Sequence, residues 1–590
     1  MRQLRLAVVF PGAASLGSYE AGAAFELARC ALMARQLSKD KPPLIIDVVV
    51  GSSAGAITGA LLSYILLTDG EPSWLYHAWV THPQLSELIL VSELNGVLSM
   101  RRLNELAQEL LSQPYEPSEN AEMAVRYVAT LTNLTPLHYR IPVIEGRTLI
   151  ASTHRDWKAM VLTYAGAQTP HGKHSWEYVA KTALASAAFP AIFPAQRLER
   201  SAEEYIANHV WIEAQSDDIV NFDFTDGGVM HNRPIALAFD ALYEPHHIGL
   251  FDQKPIDDSE ASRIVVVVSP REQPPQPTRI RLRPQPLMLD VLMSVISARF
   301  NVNDVFDDLR GAQKLNTRLC WKAMLLERMQ DWLSANPDAA KSLYEVLMSI
   351  LVRINGDMRF IRAQRDGIEK STIAQRALGD CNAGCGVSGQ HAGNDIRNNG
   401  SQSESEDDLS SNLESHSHVD NAIRLLNAVL DRVSGTTGKR EVKIEVVSPL
   451  LLSEFGLPDE LLCGEAMGHF AGFLSRRFRE NDFRVGAECM RRWLCGLGEL
   501  NEALRHKLLD ESVRNVKVWS AKVERRGGKI IPLRSRTPII EKKLMPISSE
   551  SIGSKHERHI LSIWLSIAIL ALRAAFVLLI DSIRSLLRRI

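Results

Sequence analysis

The sequence predicts an α/β fold, a mostly parallel sheet flanked by helices, and three observations carry that expectation. Apolar, β-branched runs alternate with stretches of helical period over residues 1–275. The clearest strands are Leu4–Phe10, Ile45–Val50, Tyr127–Leu131 and Ile264–Ser269. Two of them end in small-residue loops, which places those loops beyond the carboxyl ends of the strands, where sites in such sheets lie.

The first strand, Leu4–Phe10, runs into Pro11-Gly12-Ala13-Ala14-Ser15-Leu16-Gly17 and then a helical pattern carrying Tyr19, Ala23 and Leu27. A small-residue loop at this place leaves backbone N–H groups free at the helix start. Such groups bind a phosphate or a developing oxyanion. An ordinary connecting loop has the same composition.

The second strand ends in Val48-Val49-Val50-Gly51-Ser52-Ser53-Ala54-Gly55-Ala56, followed by Ile57, Ala60, Leu61 and Tyr64 at helical spacing. This is G-x-S-x-G in the strand–turn–helix context that makes it a nucleophile elbow. Small residues at Gly51, Ala54 and Gly55 permit the turn, and the Ser53 hydroxyl lies near the positive end of the helix. Farther on, alternating apolar residues lead into Asp226-Gly227-Gly228-Val229-Met230-His231. Alone this is a turn; beside an activated serine, Asp226 is a candidate base.

Together these residues resemble the patatin-like phospholipase family. The order is the same: a small-residue anion loop (Pro11–Gly17), G-x-S-x-G (Gly51–Gly55), then D-G-G (Asp226–Gly228). Lys181–Pro194 is similar to the family's Ala/Ser-rich block ending in Phe-Pro, and Gly468–Asp482 to a block of long patatin-related proteins of bacteria. The resemblance implies a serine lipid acyl hydrolase with Ser53 as nucleophile and Asp226 as general base. It implies oxyanion donors at Gly12, Ala13 and Ala14, phospholipid or another acyl lipid as substrate, and no metal or cofactor. The anion loop departs from the family's consecutive glycines: alanines stand at its centre, and alanine adopts positive φ reluctantly.

Two other readings stay open. A Ser-His-Asp hydrolase would need a histidine after the acid; His231 is near Asp226 in sequence and is expected at the surface. A membrane-bound scaffold or binding protein would keep the fold with its chemistry weakened by the altered loop.

The remaining chain divides by composition. Residues 287–375 read as a helical extension, in which Leu289–Ile296, Leu325–Leu333 and Leu343–Ile354 are helical by pattern. Such helices would cap a site or simply form a core. Residues 379–420 are rich in Asn, Ser, Gly and acids and read as a disordered linker. Residues 440–520 resume ordered structure; there Arg476, Arg477, Arg479, Glu480 and Asp482 read as a surface or inter-helix ion network. Residues 558–590 contain the apolar run Ile560–Ile580, long enough to cross a bilayer. Arg573 within it, and a polar stripe through Ser562, Ser566 and Asp581, suit an interfacial helix, a single span or a core helix packed on a partner. A cytoplasmic protein associated with membrane through its C-terminus is the expectation.

With 590 residues, 45% of them hydrophobic, the chain exceeds one ordinary domain and can build a large core. A net charge of −2 and the lack of a basic, aromatic-laced face argue against nucleic acid as a partner. Seven scattered cysteines read as reduced thiols rather than a disulfide framework. Cys381 and Cys385, near His391, His416 and His418, are a possible zinc set in an otherwise polar segment. The first apolar stretch is used as a strand rather than as a secretory leader.

Overall fold

Strand β1 (Gln3–Phe10) lies at the centre of the sheet, and its burial explains its composition. Leu4, Leu6, Val8 and Phe10 face one core, while Ala7 and Val9 face the other, so the strand is apolar on both sides. In the computed structural model the described residues are 3–82, 100–111, 123–270, 305–353, 418–434 and 442–508, apart from short gaps within those ranges. They fall into two compact units, residues 1–312 with 442–590, and residues 313–441.

In the first unit β1 pairs in parallel with β2 (Leu44–Gly51) on one side and β9 (Ala261–Val268) on the other. The parallel run continues to β10 (Lys443–Val447) beyond β9 and to β3 (Val125–Pro142) beyond β2. Beyond β3 the sheet turns antiparallel through β4 (Thr148–Thr163), β5 (Gly166–Thr169) and β6 (Gly172–His174). On its other edge β3 meets β8 (Ile219–Thr225), which pairs with β7 (Gln196–Ser201).

The parallel centre matches the expectation from sequence; the antiparallel half was not anticipated. Strand β3 runs well past Leu131, where it leaves the two-sided core and its residues turn polar: Thr132, Asn133, Thr135 and His138. A strand clothed in polar residues reads as a loop.

Helix α1 (Gly17–Leu37) follows β1, and α2 (Ala54–Thr68) follows β2. Helices α3 (Arg101–Leu111), α4 (Trp176–Ser186) and α5 (Ile235–Tyr243) complete the flanks contributed by residues before 270. The segment after residue 442 adds β10 and the helix Arg476–Gly496, which crosses α1 backbone to backbone. A Cβ on Gly486 would lie 1.9 Å from the carbonyl oxygen of Tyr19, and one on Gly22 would lie 1.9 Å from that of Phe483. Only glycine permits that approach.

Arg479 and Asp482 on this helix are buried, not members of a surface ion network. The Arg479 guanidinium donates to the carbonyls of Val80 (3.1 Å) and Gly472 (2.9 Å). Asp482 accepts from the amides of Cys463 (2.7 Å) and Gly464 (2.8 Å). Both charges satisfy backbone groups of short helical turns, His77–Thr81, Cys463–Glu465 and Ala471–Leu474, that no sequence spacing connects to them. Glu480 and Arg484 do form an ion pair, at 2.5 Å.

The second unit holds helix α6 (Val305–Ala335), which starts just before it, a helix over residues 337–350, and α7 (His418–Ser434). Leu333, Ala340 and Ala422 form one apolar cluster, and Leu347, Leu425 and Val429 another, so these helices form their own small core. Helix α6 also exposes Trp321, Met324 and Trp332.

Cys30, Cys320, Cys463, Cys489 and Cys495 are free thiols. No helix among the described residues is long and apolar enough to cross a membrane. Ile560–Ile580, Leu289–Ile296, Cys381 and Cys385 lie outside the described residues.

Candidate active site

Strand β2 delivers Ser53 at the N-cap of α2 with φ 52° and ψ −124°, a backbone state that L residues rarely adopt. Several hydrogen bonds hold it there. The Ser52 amide donates to the Phe10 carbonyl (3.0 Å), the Gly55 amide to the Ser52 carbonyl (2.8 Å), and the Ser53 amide to Ser186 Oγ (2.9 Å). The Ser52 hydroxyl donates to the His231 carbonyl (3.0 Å). The second glycine of the motif is a steric requirement, because a Cβ on Gly55 would sit 2.2 Å from the Phe10 carbonyl oxygen.

Asp226 arrives from β8 and caps a turn of 3₁₀ helix, Gly227–Val229. Its amide donates to the Ala188 carbonyl (2.9 Å), and its own carbonyl accepts from Thr132 Oγ1 (2.8 Å). Its carboxylate accepts from the Gly228 amide at Oδ1 (2.7 Å) and from Ser53 Oγ at Oδ2 (2.5 Å). The D-G-G turn and the candidate base are therefore one structure: the turn fixes the carboxylate. The two side chains, 173 positions apart, are both buried. A 2.5 Å separation is the length of a hydroxyl donating to a charged carboxylate.

The anion loop lies at the end of β1. Ala14 adopts φ 49°, the left-handed state that its side chain disfavours, and opens a 3₁₀ turn, Ala14–Leu16. The Gly12 amide donates to the Asn232 carbonyl (3.0 Å), so this amide is already engaged. Ser15 Oγ accepts from the Gly472 amide (3.1 Å), 457 positions away.

Residues 8–239 match the family model of patatin-like phospholipase. This chain carries a patatin-like phospholipase domain. Among solved structures, VipD from Legionella pneumophila is similar at 12% identity, over 56% of this chain and 56% of that chain, with a TM-score of 0.22. The chain therefore spans little more than half the length of that relative. No curated protein sequence matches it.

The loop of β1, the elbow and Asp226 all fall inside the patatin-like domain, whereas β9, β10 and the helix Arg476–Gly496 lie beyond its matched residues and complete the same unit. His231 is buried rather than at the surface, and its carbonyl accepts from the Ser52 hydroxyl of the elbow. The Ser53 hydroxyl donates to the carboxylate instead. Ser186, Thr132 and Asn232 were not read from sequence as site residues. Ser186 falls in the Ala/Ser-rich block, which marked its neighbourhood; Thr132 and Asn232 carry no local signal. Among the described residues Asp240, Glu244 and His247 bring potential metal ligands within 4.8 Å of one another, with His247 paired to Glu244 at 2.7 Å. They take no part in the chemistry below.

Proposed function

We propose that this protein is a serine lipid acyl hydrolase that cleaves ester bonds of phospholipids or other acyl lipids through Ser53 and Asp226. The observation that carries the reading is the direct bond from Ser53 Oγ to Asp226 Oδ2, 2.5 Å long, on a strained elbow. Asp226 takes the proton as Ser53 Oγ attacks the ester carbonyl, then passes it to the departing alcohol. The acyl group rests on Ser53 until a water, deprotonated by the same carboxylate, attacks the acyl carbonyl; Asp226 returns that proton to Ser53 Oγ as the fatty acid leaves. The Gly228 amide holds the other carboxylate oxygen, so the base keeps one orientation through both steps.

The tetrahedral oxyanion needs donors. With the Gly12 amide bound to Asn232, the amides of Ala13 and Ala14 take this role, worth about 3 kcal/mol for a good donor. No metal enters this scheme. The finer assignment of the membrane contact goes to Ile560–Ile580, as an interfacial helix or a span. A carbonate wash separates the two: a peripheral helix is extracted, a span stays, and a full-length chain that never sediments with membrane ends both.

The test of the activity is labelling by a fluorophosphonate probe. Wild type should label, Ser53→Ala should not, and Asp226→Asn should label at least about a hundredfold more slowly, the usual scale of a general base. A folded wild type that stays unlabelled would move the reading to a scaffold on a weakened patatin-like fold. Loss on replacing His231 but not Asp226 would move it to a Ser-His-Asp enzyme.

A further inference from the structure

Helix α6 has two apolar faces, and the second unit covers one of them. Leu319 and Leu333 are buried, and Lys322 pairs with Asp431 of α7 at 2.6 Å, which fixes the packed face. On another side of the helix Trp321 is 72% exposed, Met324 59%, Leu325 44% and Trp332 50%. A helix at a protein surface ordinarily keeps its large apolar residues on the packed face. A second apolar face of this size marks a surface that something else covers.

The second face is a stripe. Trp321 and Trp332 are eleven residues apart, close to three turns, so they stand in line about 16 Å apart along the axis. Met324 and Leu325 lie between them. At about 100° per residue, Lys314, Arg318 and Arg328 fall on the same arc, within about 60° of Trp321, and all three are exposed. Glu327 and Asp331 fall outside it, so between Lys314 and Trp332 the arc carries cations and no carboxylate. On α7, Asp431 is already paired with Lys322. Beside the stripe Trp321, Met324 and Leu325 meet Leu430 of α7 around an open groove of about 490 Å³, where Arg318 donates to the Ser434 carbonyl (3.2 Å).

This mixture selects the occupant. The core of a protein–protein interface is depleted of charge, whereas here the cations are interleaved with the apolar residues. A bilayer surface takes both. Indole rings settle at the level of the headgroups, Met and Leu enter the acyl boundary, and long basic side chains reach back to the phosphates. We propose that this face of α6 docks on an anionic lipid surface. The contact is separate from any made by Ile560–Ile580, and it does not depend on the hydrolase reading.

The experiment uses the full-length protein and vesicles of phosphatidylcholine, alone or in equimolar mixture with phosphatidylserine. The acyl chains are brominated, so they quench a tryptophan that enters the membrane. Wild type should be quenched by the mixed vesicles and much less by phosphatidylcholine alone. Trp321→Phe/Trp332→Phe keeps the face apolar and should lose half of the quench or more. Trp564 is left in place, so a contact made by Ile560–Ile580 alone gives the same quench in both proteins and overturns the proposal. Lys314→Glu/Arg328→Glu should lose the same share of quench on the mixed vesicles, because each cation near an anionic surface is worth roughly fivefold in binding. A charge-reversed variant quenched as fully as wild type would overturn the proposal. Without lipid, a wild-type dimer that the tryptophan variant turns into a monomer would assign the face to a second copy and overturn it too. Labelling of Ser53 in solution is independent of all these outcomes, so the hydrolase reading stands or falls separately.

Discussion

The loops ending β1 and β2 both hold a non-glycine residue in the left-handed region, Ala14 at φ 49° and Ser53 at φ 52°, yet they are supported differently. The elbow is held from within the patatin-like domain, by Phe10, Ser186 and His231. The anion loop borrows support from far along the chain: the Gly472 amide grips Ser15, and the buried Arg479 grips Gly472. Strain at the elbow serves a nucleophile, and its own neighbourhood enforces it. Strain at the anion loop is enforced by a segment that returns to the unit after the second unit has intervened. The difference explains why residues after 442 share a core with α1, and it makes the two loops separable by mutation.

The largest effect should come on the side of the elbow's partner. Asp226 follows β8, and β8 is backed by a buried cluster. The Arg200 guanidinium lies 5.7 Å from the centre of the Phe224 ring, and it bonds Glu204 at 2.7 Å, while Lys158 pairs with Glu204 as well. Burial alone would raise the Glu204 carboxyl, but Lys158 and Arg200 outweigh it and hold it down to about 2. A carboxyl depressed on folding stabilises above its unfolded pKa, ordinarily 4.5, and loses that contribution as pH falls toward 2. Glu204→Gln should therefore cost about 3 kcal/mol near neutrality, where it strands buried cations. The gap from wild type should close between pH 4.5 and 2. Urea midpoints at pH 6 and pH 3 check it; a gap that is the same at both would show that the cluster is not charge-stabilised.

Arg479→Met tests the other side. It leaves the Val80 and Gly472 carbonyls without their guanidinium and should cost about 2 kcal/mol. It should also slow labelling at Ser53 through the anion loop, whereas the elbow keeps its own bonds. A variant that loses stability but labels at the wild-type rate would show that the loop does not need its distant support.

These contrasts also mark what could be read in the chain. The strands, the elbow and D-G-G were legible because each is a contiguous pattern whose residues solve a local problem: a two-faced strand, a tight turn, a capped turn. The meeting of Ser53 with Asp226 was legible only through the family resemblance, since it depends on β8 reaching β3. Arg479 and Asp482 read as members of a surface or inter-helix ion network because charge at helical spacing normally forms one; they bond backbone groups of short turns elsewhere in the sequence, which leave no trace in composition. Strand β4 and the end of β3 were missed for the opposite reason, as polar sequence doing the work of a sheet.

Ala14→Gly has the smallest expected effect and decides how the altered anion loop should be understood. Alanine in the left-handed state costs about 1 kcal/mol relative to glycine, but glycine gives back about 0.5 to 1 kcal/mol through the freer unfolded chain. The net gain in stability should therefore be under 1 kcal/mol. Labelling is the sharper readout. Ala14 already occupies the backbone state that a glycine would take, so its amide is already in place. The labelling rate should change by less than about threefold, or roughly 0.6 kcal/mol of barrier. A rise of tenfold or more would mean that the alanine side chain displaces the amide from the oxyanion. The elbow and the anion loop would then differ in competence, not only in how they are supported.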